Sequence, residues 1–507
     1  MFERASGVLL HPTSLPGPYG VGDLGPQAYR WVDFLAGSGC ALWQVLPLGP
    51  TGYGDSPYQC FSAFAGNPYL ISPRLLMQDG LLREDDLGGP PDFPADFVDY
   101  GRVIPWKQGL LERAFDRFTH HTPRSVKEDF DAFRAAHAPW LDDYALFMAL
   151  KEAHGGSPWD RWPDPVRRRD PSALSRARRS LSSCIERFAF EQFLFFRQWA
   201  ALKDYASTRG VRIIGDIPIF VAYDSADVWA HPELFCLDGD GRPTHVAGVP
   251  PDYFSPTGQL WGNPLYRWEA HREEGYAWWL ARFQTILSLV DIVRLDHFRG
   301  FVGYWEIPAG SPTAEHGRWA PGPGADLFLA LEQALREAGK IPEGAPLPLI
   351  AEDLGVITPE VVALRERFHL PGMKILQFAF SGPENPFLPH HYPRECVVYT
   401  GTHDNDTTVG WYESAPPQER EFALRYLGRG DLTAQEFTWE LIRLAWASVA
   451  VFAIVPMQDL LTLGTEARMN YPSRPSGNWR WRMGEGALAE SLSHRLHELN
   501  HLYARTP

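Results

Sequence analysis

The sequence predicts an α/β fold, a (β/α)8 barrel with large subdomains inserted between its strands, and three observations predict it. Eight short β-rich runs alternate with helical patterns, and most are largely continuous apolar stretches, as strands covered on both faces are. Acidic residues stand at the ends of several runs, where a barrel assembles its active site. Roughly 160 residues separate the second run from the third, far too many for one connection, so that stretch must carry an insertion.

In chain order the runs are 7–10, 41–46, 211–216, 291–296, 347–352, 373–378, 396–401 and 452–457. Helical patterns occupy 27–36, 185–208, 277–289, 325–338, 359–368 and 435–447. Thr358 before Pro359 places a hydroxyl at the N-cap and a proline in the first turn. The whole chain is expected to be one catalytic barrel, with approximately 51–200 a mostly helical inserted subdomain and 221–290 a smaller, loop-rich insertion. Within the first insertion, the adjacent His120 and His121 point in different directions and the basic run 164–180 reads as a solvated helix face, so neither is expected to bind a ligand. In the second, the segment 248–264 is rich in Pro, Gly and aromatics and reads as a lid over the site.

Composition narrows the function. The 507 residues are 45% apolar and 21% charged, ordinary globular usage. A formal charge of -15 repels polyphosphate, so nucleic acid is not an expected partner. Five cysteines without CxxC spacing exclude a disulfide scaffold and a zinc knuckle and fit a cytoplasmic location. The N-terminus carries no export signal, and no apolar stretch reaches the roughly 20 residues that span a bilayer, so no membrane partner is expected. Nineteen Trp and 13% aromatic residues admit a carbohydrate ligand, because aromatic faces stack on sugar rings, and equally a large core.

Three motifs are set aside. GVGDLG (20–25) matches a dinucleotide fingerprint, yet the next strand offers no acid for the ribose, so the glycines form a tight barrel loop. DGDG (238–241) lacks the later ligands of a calcium loop and is a turn. The sequon at 405–407 means nothing in a chain without export.

The carboxylates carry more information. In DIVRLDHF, Arg294 and Asp296 lie two apart, on one face of a strand near its C-terminal end. Glu352 closes another strand, His403 and Asp404 close a third, and Asp216 adds a fourth acid to the rim. Asp291, Asp353 and Asp406 are read as structural. Clustered acids in a partly apolar funnel push one carboxyl pKa up and leave another ionised, the division that a general acid and a nucleophile require. Arg294 is expected to keep Asp296 charged, leaving Glu352 to carry the proton. One acid and one nucleophile around an acetal is glycoside cleavage with retention.

The chain resembles the 4-α-glucanotransferases, called amylomaltases or disproportionating enzymes, relatives of the α-amylase barrel enzymes. The resemblance runs nearly end to end through GVLLHPTSLPGPYGVGDLG, LPLGPTGYGDSPYQ, GDIPIFVAYDSADVW, PPDYFSPTGQLWGNPLY, RLDHFRGF, IAEDLG, PGMKILQFAF, YTGTHDNDT and EARMNYP. It implies Asp296 as nucleophile, Glu352 as acid/base and Asp404 as the carboxylate that orients and distorts the sugar. It further implies Arg294, Asp216 and His403 as supporting contacts, and Tyr58, Gln259, Trp261 and Asn470 as lining of the glucan groove. Tyr53 and Tyr100 fall where relatives carry a second glucan-binding surface.

The implied reaction moves an α-1,4-glucan segment from a maltooligosaccharide or amylose donor to the 4-hydroxyl of an acceptor, with cyclisation of long chains as a variant. No cofactor and no metal is called for, and a monomer is expected. The chain departs from the family pattern at Ser381-Gly382, His391 and Ser473, all in outer contacts. A plain α-glucan hydrolase would use the same acids. A non-catalytic glucan-binding protein would keep the aromatics and lose the carboxylates.

Overall fold

The computed structural model describes residues 2–121, 123–251, 255–472 and 474–506, with the side chain of Tyr53 also outside the description. Eight parallel strands form its centre: β1 (Ala5–Leu9), β2 (Leu42–Gln44), β3 (Arg212–Pro218), β4 (Ile292–Asp296), β5 (Leu349–Ala351), β6 (Gly372–Ile375), β7 (Cys396–Tyr399) and β8 (Phe452–Pro456). Their hydrogen-bonded order is β6-β7-β8-β1-β2-β3-β4-β5. The two ends of that order meet where the Ala351 N–H donates to the Pro371 carbonyl at 2.9 Å and the Met373 N–H to the Asp353 carboxylate at 2.7 Å. The sheet thus closes into the (β/α)8 barrel, and each of the eight expected runs supplies one strand. Six of the strands are shorter than their runs, the exceptions being β1 and β3; the sixth breaks after Ile375 into a single 3-10 turn, Leu376–Phe378.

Near-complete burial of these strands explains their apolar character. Gly7 is required where β1 meets β2: a Cβ there would lie 2.4 Å from the Leu42 carbonyl oxygen. The helices Pro26–Gly37, Ser182–Thr208, Ala277–Leu289, Ala325–Glu337, Pro359–Arg367 and Ala434–Ala447 cover the barrel. Proline begins the fifth of them as expected, but the Thr358 hydroxyl does not cap its backbone and turns to the Glu360 carboxylate.

Long helices, Tyr100–His121 and Arg124–Ala153, lie between β2 and β3, and they share one apolar core with the barrel. Their packing is aromatic: Phe118 stacks on Phe190 of the barrel helix Ser182–Thr208 with centroids 4.4 Å apart. His120 and His121 are exposed at a helix end. Among the described residues, no group of three or more His, Cys, Asp or Glu side chains is arranged to hold a metal ion. Nor is any helix among them long and apolar enough to cross a membrane.

A second sheet was not foreseen. Strands His245–Val249, Gln259–Pro264, Gly303–Pro308 and Arg318–Pro321 pair antiparallel, so the ends of segment 248–264 are strands tied to the chain that follows β4. The tip of that segment, 252–254, lies outside the described residues.

At the floor of the barrel, Arg505 is wholly buried and answered by main-chain oxygens. It donates to the carbonyls of Ala5 at 2.9 Å, Trp446 at 2.8 Å and Ala450 at 3.1 Å. Burial away from any carboxylate lowers its pKa to about 9.

Candidate active site

The register of the barrel brings the acids together. Asp216 on β3 is the direct ladder partner of Arg294 on β4, and Asp296 follows two residues on, on the same face. The Arg294 Nη1 therefore reaches both, at 2.7 Å from Asp216 and 3.0 Å from Asp296. Asp216 also accepts the Tyr58 hydroxyl at 2.8 Å. Glu352, the residue after β5, accepts main-chain N–H groups on both oxygens, from His297 at 2.7 Å and Leu354 at 2.8 Å. His297 adopts the left-handed conformation, φ 52°, where the chain turns away from the end of β4.

Asp404 approaches from the loop after β7. Its carboxylate accepts the Asn470 amide at 2.6 Å and lies 3.4 Å from the His403 imidazole, while Arg468 fixes its main-chain oxygen at 2.7 Å. Nearly half of the Asp404 side chain stays open to solvent. Tyr58 stacks on His403 at 5.2 Å, and Trp261 stands edge-on to His297 at 4.8 Å, with its indole N–H on Gln259.

One guanidinium serves this cluster of carboxylates, which changes the expected electrostatics. Arg294 does not belong to Asp296 alone, since its shorter contact goes to Asp216. Burial, together with the charges of Asp216, Glu352 and Asp404, outweighs the pull of Arg294 and pushes Asp296 up to about 8. Burial raises Glu352 as well, against the opposing effects of Arg294 and its two N–H donors. Arg294 therefore does not simply hold Asp296 charged, as expected: both acids are raised, with Arg294 opposing the rise at each. Burial lowers the pKa of the His403 imidazole, against the opposing pull of Asp404.

The outlying assignments fare differently. Tyr100 is buried, and its hydroxyl donates to the Trp479 carbonyl at 2.9 Å, so it offers no open ring face. Tyr53 begins a short 3-10 turn, Tyr53–Asp55, and its side chain lies outside the described residues. Ser381 and His391 make local contacts, with Asn385 at 2.8 Å and the Pro383 carbonyl at 3.1 Å; Ser473 is also outside the described residues. Asp291, Asp353 and Asp406 are occupied structurally, by the Ile213 N–H, by Arg365 and by Thr465.

Sequence reasoning passed over three groups: His297, whose backbone holds Glu352; Arg468; and Trp479, whose ring leans on Tyr58 at 5.7 Å and His403 at 5.8 Å. Trp479 sits at φ 64°. The signal for it was an aromatic residue directly after Gly477-Asn478, a pair suited to tight turns.

Comparison with known proteins gives the chain a family. The family model described as 4-alpha-glucanotransferase matches residues 10–487. The chain is 58% identical over 499 residues to a 4-alpha-glucanotransferase of Thermus thermophilus, covering 97% of both chains. It is 45% identical over 509 residues to the chloroplastic/amyloplastic 4-alpha-glucanotransferase of Solanum tuberosum, covering 99% of this chain and 86% of that one. Among solved structures, the amylomaltase from Streptococcus agalactiae in complex with acarbose superposes with a TM-score of 0.94 at 39% identity, covering all of both chains.

Proposed function

The chain belongs to the 4-α-glucanotransferase family and is a retaining transglycosylase acting on α-glucans; on that premise we propose that Asp296 is its nucleophile, Glu352 its acid/base and Asp404 the carboxylate that orients and distorts the reacting sugar. The observation that carries these roles is the Asp296–Glu352 pair itself, two half-buried acids at the ends of neighbouring strands, both with raised pKa values.

In the reacting arrangement Glu352 carries the proton, because only ionised Asp296 can attack. Its two N–H bonds fix the plane of the Glu352 carboxyl, and each oxygen keeps a second lone pair for the proton. Glu352 protonates the leaving glycosidic oxygen while Asp296 bonds to the anomeric carbon, giving a glucosyl ester and a free 4-hydroxyl on the departing chain. An acceptor then enters, Glu352 takes the proton from its 4-hydroxyl, and the new α-1,4 bond releases Asp296. The ester conserves the bond energy, so the scheme needs no cofactor or metal. Arg294 and Asp216 brace the nucleophile from one side; His403 and Asn470 set Asp404 from another. Tyr58, Gln259 and Trp261 line the groove, and the segment 248–264 serves as the lid that keeps water from the ester.

Donors in this reading are maltooligosaccharides and amylose, with long chains also cyclised. We read the chain as one catalytic unit, with 51–200 and 221–290 as its insertions, working as a monomer in the cytoplasm; five free cysteines support a reducing compartment.

Incubation with maltotriose followed by product separation tests the proposal. Glucose with maltopentaose and longer chains is the expected outcome. Glucose and maltose alone would make the protein a hydrolase, and unchanged substrate would leave only binding.

A further inference from the structure

We propose that Trp319, seated on Arg299 at the rim of the barrel, is a stacking platform for the glucan chain that extends past Glu352; this rests on the transferase reading above.

Trp319 belongs to Arg318–Pro321, the edge strand of the four-stranded sheet, and is 44% exposed, an unusual state for so large a ring. It is nevertheless held in place. The Arg299 guanidinium lies 3.7 Å from its ring centroid, and the Trp305 ring meets it edge-on at 5.2 Å from the partner position of the neighbouring strand. Trp305 is itself fixed by an indole N–H bond to the Ala314 carbonyl at 2.9 Å.

The mounting connects this ring to the chemistry. Arg299 stands three residues after Asp296, and its Nη1 donates at 2.6 Å to the carbonyl of Val356, four residues after Glu352. One guanidinium thus backs the indole and ties together the two rim loops that carry the nucleophile and the acid/base. Val356 is 62% exposed.

A polymer cleaved between these acids must leave the cleft, and the leaving or accepting portion lies on the side of the proton carrier. A flat indole already immobilised on the guanidinium that joins these two loops loses little conformational freedom on binding and matches the C–H face of a glucose ring. The occupant is therefore the acceptor α-1,4-glucan, at sugars beyond the bond being remade.

The test holds a maltotriose donor constant and compares glucose with maltohexaose as acceptors. In Trp319→Ala the ratio of kcat/KM for maltohexaose over glucose should fall about threefold to tenfold. Trp319→Leu fills the same apolar space without a flat ring and should show the same fall, whereas Trp319→Phe should keep most of the preference. A folded Ala or Leu variant with the wild-type ratio overturns the platform. Wild-type protein that extends neither acceptor overturns the transferase reading instead.

Discussion

The backbone N–H of His297 donates to the Glu352 carboxylate at 2.7 Å, so the residue that follows the proposed nucleophile holds the proposed acid/base. His297 itself adopts a left-handed φ of 52°. β-branched residues avoid that region and Asn tolerates it. His297→Val should lower stability by about 1–2 kcal/mol and kcat by about 10- to 100-fold. His297→Asn, which also removes the ring, should keep a substantially higher kcat than Val. Equal kcat in the two variants would mean that the backbone conformation is irrelevant to Glu352.

Asp296→Asn should reduce turnover by about 10⁴-fold or more while leaving the dissociation constant for maltotriose within about threefold, since the amide keeps the shape and loses the nucleophile. Chromatography of the products and calorimetric titration measure the two halves. Retained turnover would remove Asp296 from the role.

The paired acids set the pH dependence. The working state carries one proton, so kcat/KM should be bell-shaped: a second proton blocks Asp296 at low pH, and loss of the last proton removes the acid at high pH. Because both acids are raised, the bell is displaced upward from the ordinary carboxylate range, with Asp296 at about 8. Arg294 opposes that rise, so Arg294→Gln should move the ascending limb to higher pH and depress activity at pH 6 by more than tenfold. An unmoved limb would show that Arg294 does not govern the pair. Linkage fixes the sign for stability: the folded site binds more protons than the unfolded chain, so the contribution is full below about pH 4 and is lost as pH rises through about 8.

Tyr100→Phe tests the reassignment of that residue to support. Losing the 2.9 Å bond to the Trp479 carbonyl strands a buried acceptor and should cost about 1 kcal/mol, read as a lower melting temperature. A purely glucan-binding role would leave melting unchanged.

Much of the barrel was legible because its strands are buried on both faces and therefore read as apolar blocks, with helix starts marked by Pro26 and Pro359. Helix limits fell within three residues, the largest difference being 182 against 185. The antiparallel sheet escaped because its strands are punctuated by Gly248, Gly262 and Pro264 and its exposed positions carry Leu260 and Trp319, which hides any alternation. Convergence of the acids was readable from their places at strand ends. The division of Arg294 between Asp216 and Asp296 was not, since it depends on the β3–β4 register rather than on spacing within either strand. Tyr100 shows the same limit, because its partner Trp479 is 379 residues away in sequence.

The guanidinium of Arg505 closes on the carbonyl of Ala5, 500 residues earlier in the chain. During synthesis the first strand waits, unpaired on its β8 side, until residues 452–456 have been made. The cylinder cannot finish while β8 is still inside the ribosome, and a nascent chain stalled before β8 has emerged should remain open to protease at the β1–β8 seam even when its central helices are already protected.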